Sequence, residues 1–180
     1  MRLRAVTLIA LAIAATLSTA DAARRLKKQE DAAPAPTPGD KRDRTVAAPG
    51  SPFNGRAFWQ AAAQCGGIYF KLNSAYSDAA ISAKVIRPDP AAYTRLSKDA
   101  DGAAARATAF FDVSERFLVA DRKLARDEAV MTYDPVATSA GDRLKSIEAA
   151  LQAAKPCPEL YQACRSAYPQ ICSDAAALTN

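Results

Sequence analysis

The stretch from Phe58 to Ala83, FWQAAAQCGGIYFKLNSAYSDAAISA, decides the fold class. Phe58, Ala62, Cys65, Tyr69, Leu72, Tyr76, Ala79 and Ala83 recur alternately four and three residues apart. That is the two-in-seven seam of a helix packing at a shallow angle in a bundle. The chain has no alternating apolar–polar run long enough to support a sheet. Gly66-Gly67 interrupts the helical stretch, and a phosphate loop there would need a preceding strand and a richer glycine pattern. The pair predicts close approach of a neighbouring helix, with a ligand-facing kink as the alternative.

Working outward, four prolines stand at the doors of four apolar-periodic segments. Proline suits the first turn of a helix, where its missing N–H costs nothing, and a polar residue before it can cap. Ser51-Pro52, Asp89-Pro90 and Asp134-Pro135 follow that rule, and Cys157-Pro158 follows it with Glu159 near the positive helix end. The second segment places Phe110, Phe117, Leu124 and Met131 seven apart, with Tyr93, Leu96, Ala103 and Ala107 extending it backwards. Asp101-Gly102 is expected to break it, since an interior glycine costs roughly 1 kcal/mol relative to alanine. The third carries Ala140, Leu144, Ile147, Leu151 and Ala154, starting at Pro135 or at Ser139. The last runs from Pro158 to about Tyr168. These segments predict an all-α fold: an antiparallel bundle of three long helices with a short, disulfide-stapled C-terminal helix.

The ends of the chain set its expected address. Residues 1–22 read as a secretory signal: Arg2 and Arg4, an uncharged apolar run, then the small-x-small site Ala20-Asp21-Ala22. The run is too short to span a bilayer core of ~30 Å comfortably, with an uncleaved anchor as the alternative. Residues 23–52 hold five prolines and few large apolar groups, so they are expected to be a disordered, basic, Pro/Ala-rich linker. Residues 53–180 make the bundle domain. The expected destination is a Gram-negative periplasm, or secretion.

Charge is segregated. The net +5 resides largely ahead of the domain, because residues 53–180 carry 15 basic and 14 acidic side chains. A domain so balanced has no electrostatic footprint for nucleic acid. Arg24, Arg25, Lys27 and Lys28 form a basic cluster. It reads as a solvated linker, or as a contact to anionic lipid worth ~1 kcal/mol per residue near such a surface.

Cys65, Cys157, Cys164 and Cys172 read as structural disulfides, three of them fastening the C-terminal end. Cys157 and Cys164 on one helix lie ~10 Å apart along its axis, beyond the roughly 7 Å between Cα atoms that a bridge allows. The reading favours Cys65–Cys157 with Cys164–Cys172, and next Cys65–Cys164 with Cys157–Cys172. Zinc or redox chemistry would want Cys-x-x-Cys or histidine, and the chain has neither.

With no histidine, Ser-His-Asp and Cys-His catalysis cannot be assembled. The remaining catalytic option is a carboxylate pair of the glycosidase kind, from Asp112 with Glu115 or Asp127 with Glu128. Arg116, Arg122, Lys123 and Arg126 nearby make these read as an ion-paired solvated face. No catalytic residue, metal ligand or cofactor is therefore assigned. Trp59, Tyr161 and Tyr168 are the candidates for an interaction surface, with core packing as the alternative. The expected function is a non-catalytic interaction module of the bacterial envelope with an envelope protein as partner. The alternatives are a small-ligand or lipid carrier and a cell-wall hydrolase.

Overall fold

The computed structural model describes residues 41–172, and the expectations for residues 1–40, including the leader and Arg24, Arg25, Lys27 and Lys28, lie outside them. Among the described residues six helices follow one another: α1 (Phe58–Val85), α2 (Pro90–Arg122), α3 (Arg126–Asp142), α4 (Ile147–Ala154), α5 (Cys157–Ala167) and α6 (Pro169–Cys172). The fold is an all-helical bundle, as the periodicity requires. Its layout departs from three long rods and a short one.

The first half of α1 is the axis of the bundle. Eleven of its first twelve residues, and Phe58 to Ala63 without a gap, are buried, so a two-in-seven seam understates it. A helix apolar all round belongs inside a core. Here α2, α3, α4 and α5 all pack against it. Small side chains let them come close. A Cβ on Gly67 would collide with the Ala137 backbone of α3, and one on Gly66 with the Phe111 ring of α2. The glycine pair is thus a helix crossing.

Three boundaries differ from expectation, each for a local reason. Helix α1 begins at Phe58 and not at Pro52, because Gly55 takes a left-handed φ of 76° and donates its N–H to the Val46 carbonyl. Helix α2 runs through Gly102 unbroken and ends at Lys123, whose φ of 60° stops the heptad before Met131. Met131 consequently lies on a new helix and is exposed. Pro135 sits inside α3, its missing N–H falling opposite the Met131 carbonyl on a solvent-exposed face. The third expected helix is split, since Ser146 caps a fresh one by accepting from the Ala149 N–H (3.1 Å). Asp89-Pro90 does start α2, the Asp89 carboxylate accepting from the Ala92 N–H (2.9 Å). Cys157-Pro158 likewise opens α5.

The segment before α1 is part of the bundle. The expected linker boundary at Pro52 falls within a packed loop in which Asp43, Val46 and Phe53 are buried. Thr45 bridges Ala57, and Phe58 donates its N–H to the Arg44 carbonyl (2.9 Å).

Candidate functional site

Packing removes two of the three aromatic candidates, Trp59 and Tyr161, from the surface. Trp59 and Tyr161 are each 2% exposed, so they belong to the core and not to an interaction face. Their polar atoms are satisfied internally: the Trp59 indole N–H donates to Asp43 (3.0 Å) and the Tyr161 hydroxyl to the Cys172 carbonyl (2.7 Å). Tyr168 is half-buried, its ring edge-on to Phe58 and Phe117. Periodicity placed these rings on helices but could not show what covers them.

What covers Trp59 is a reciprocal pair of ion pairs. Asp43 is gripped by Arg122 through two hydrogen bonds of 2.8 and 2.6 Å, and the Arg122 guanidinium lies 5.0 Å from the Trp59 ring centroid. Next to it, Arg44 pairs with Asp121 (3.1 Å) and faces the Tyr168 ring at 5.1 Å. Adjacent residues of opposite charge on one segment meet adjacent residues of opposite charge at the end of α2. Bidentate geometry and burial make such a pair costly to break from one side. The clamp fastens the start of the domain.

The cysteines pair as Cys65–Cys157 and Cys164–Cys172, with Cα separations of 5.8 and 6.0 Å. The first ties the central helix to α5, and the second ties α5 to α6. All four are buried. Two bridges suit an oxidising compartment outside the cytoplasm.

The carboxylates carry structural tasks. Glu115 pairs with Arg126 (3.2 Å) across the α2–α3 turn, and Glu128 accepts from the Ala125 N–H (3.0 Å) at the start of α3. Burial, followed by the charges of Glu115, Asp112 and Asp134, raises the pKa of Tyr133 above its ordinary 10.0. Among the described residues no three His, Cys, Asp or Glu side chains converge as metal ligands. No described helix is long and apolar enough to cross a membrane.

Two surface features bear on function. The first is an open cleft of about 510 Å³ between α1, α2 and the α4–α5 junction. Tyr69, Leu72, Ala103 and Ala154 form its largely apolar floor, and Lys98, Arg106 and Lys155 stand against Asp99 around it. Burial raises the Tyr69 pKa above 10.0, opposed by Arg106.

The second is the far end of the α1–α2 hairpin. Ala80 is the last buried residue of α1 and Ala100 the first of α2, with none buried between them. Just inside that limit the Asn73 side chain donates to the Ala100 carbonyl (3.1 Å). Beyond it neither helix buries a residue. Ile81, Val85 and Ile86 are 59%, 69% and 72% exposed there, and Lys84 lies 5.2 Å from the Tyr93 ring. The sequence held a signal for this, because Ile81 and Val85 fall off the 76-79-83 seam. Apolar residues off a seam have no assigned cover.

No family model matches the chain, and no curated protein or solved structure shows significant similarity to it.

Proposed function

We propose that this chain is an exported, non-catalytic interaction module of the bacterial cell envelope, in the periplasm or secreted. A disulfide-fastened bundle holds out a helical hairpin as its binding element. The observation that carries this reading is the stretch 81–99, which contains no buried residue and exposes three aliphatic side chains. Exposed aliphatics clustered at one extremity mark a contact surface. The charge-segregated residues ahead of the bundle, with Arg24, Arg25, Lys27 and Lys28, would add reach toward the envelope.

In-cell crosslinking followed by affinity purification tests the reading. Three forms are compared: the full chain, one lacking residues 23–40, and one carrying Ile81→Ser, Val85→Ser and Ile86→Ser. The deletion stops at 40 so that the Asp43–Arg122 clamp survives. An envelope component captured by the full chain and lost from the serine variant supports the hairpin as the binding element. The reading fails if the mature chain stays in the cytoplasm, or if crosslinks to envelope components never form.

The cleft favours a second reading, a carrier of small anionic amphiphiles, because cations outnumber anions around its apolar floor. A ligand seen by native mass spectrometry and lost on Lys98→Gln with Lys155→Gln would establish it.

A further inference from the structure

We propose that the end of the α1–α2 hairpin is a membrane-contact element. It would seat Ile81, Val85 and Ile86 in the interfacial layer of an anionic bilayer, with Lys84, Arg87 and Arg95 at the lipid phosphates. The inference rests on the reading of the chain as an exported envelope protein, and it names the surface that the exposed hairpin meets.

Shape supplies the first argument. The aliphatic groups occupy an extremity and not a face: Val85 ends α1 and Ile86 enters the turn to α2. From Ala80, the last buried residue, to Ile86 is six residues, or about 9 Å of helical rise. That matches the roughly 5–10 Å to which interfacial apolar groups sink at the headgroup–acyl boundary. A blunt point of this kind suits a soft planar layer, and it needs no complementary groove.

Charge supplies the second. From Ile81 to Asp99 there are four basic residues, Lys84, Arg87, Arg95 and Lys98, against two acids, Asp89 and Asp99, the latter at the inner edge of the stretch. Asp89 is engaged in capping the Ala92 N–H. The rest of the domain is close to balanced, so the positive end is local. Lys84 and Arg95 have stems long enough to lie along the apolar layer while their charges reach headgroup phosphates. Tyr93, beneath Lys84, brings an aromatic ring with a polar tip of the kind enriched at membrane interfaces.

The two components make binding peripheral and reversible. Three aliphatic groups are too few for permanent anchorage, and the cationic contribution is screened by salt.

The test uses the whole mature chain, from residue 23, in flotation with vesicles of phosphatidylcholine and phosphatidylglycerol at 3:1, beside pure phosphatidylcholine. The chain should float with the anionic vesicles, and raising salt to 0.5 M should release most of it. Ile81→Ser/Val85→Ser/Ile86→Ser should lower partitioning at least tenfold, as should Lys84→Gln/Arg87→Gln/Arg95→Gln. Circular dichroism should be unchanged in both, since every substituted side chain is exposed. A Val85→Trp variant separates the hairpin from the basic cluster at 24–28: its added emission should shift blue on anionic vesicles and be quenched by brominated lipid. Flotation unaffected by the serine substitutions, or no quenching of the Val85→Trp emission, overturns the proposal. If the hairpin fails on vesicles while the serine variant loses a crosslinked envelope protein in cells, the inference falls and the interaction-module reading stands. If the chain binds vesicles but remains in the cytoplasm, that broader reading falls instead.

Discussion

Gly67 and Gly102 are the same residue type in two helix interiors, and their neighbours give them opposite roles. A methyl at Gly67 meets the Ala137 backbone, which cannot rotate away, whereas one at Gly102 finds only the Arg106 guanidinium at 3.7 Å. Gly67→Ala should therefore cost about 2–3 kcal/mol, the upper part of the range for overpacking. Gly102→Ala should stabilise by about 0.5–1 kcal/mol, from the helix propensity of alanine. Urea midpoints of the two variants check both signs. Tyr69 and Tyr133 supply a pH dependence at the same scale. Burial, the foremost cause at each, raises the folded pKa above 10.0, so the native state holds these protons more tightly than the unfolded chain. Their contribution is complete below about pH 10 and is lost as pH rises through the folded values. Thermal midpoints should fall between pH 9 and 11, and Tyr69→Phe with Tyr133→Phe should flatten that fall.

At the level of elements, what could be read from the sequence depended on how locally each boundary is determined. Asp89-Pro90 is self-sufficient, because the cap and the fixed φ lie within one turn, and α2 starts there. Ser51-Pro52 has the same local form, yet Gly55 and the distant Val46 carbonyl redirect the chain, which no dipeptide rule contains. Ser146 was missed because an apolar period passed over it from Leu144 to Ile147, although a serine with an acid two residues on is an ordinary start signal. The hairpin end was only half legible: Ile81 and Val85 lie off the seam, yet an exposed isoleucine and a buried one look alike until the cover is known. Helical rise forbids Cys157–Cys164 and narrowed three cysteine pairings to two, and the structure holds the favoured one of these. The two bridges should differ in weight. Cys65–Cys157 spans 92 residues and Cys164–Cys172 only 8, so the chain-entropy argument assigns about 4–5 kcal/mol to the first and about 2–3 kcal/mol to the second. Denaturant titration of Cys65→Ala/Cys157→Ala beside Cys164→Ala/Cys172→Ala should show the larger loss in the first pair.

Across the whole molecule, burial falls along the α1–α2 hairpin from one end to the other. Residues 58–69 are buried but for the half-buried Gln64 and are linked to α5 by a covalent bridge, while 81–99 contribute no buried side chain. Local opening of a helix costs about what its tertiary contacts supply, so the two ends of a continuous helix should open with very different free energies. Hydrogen exchange should resolve this gradient. Amides of residues 60–72 should exchange last, at the rate of global unfolding, and those of 82–97 should exchange first among the helical segments. The turn hydrogen bonds at Ser82 and Ala83 hold the end's shape without anchoring it to a core. Reduction of the bridges should then draw α5 and α6 toward the fast class, because few contacts besides Cys65–Cys157 fasten α5 to the axis. Anionic vesicles should slow exchange at 82–97 and nowhere else if the hairpin is the element that meets the membrane. Equal protection along the whole of α1 would mean that a cover exists over the hairpin end, and a second copy of the chain would be the partner to test for by sedimentation.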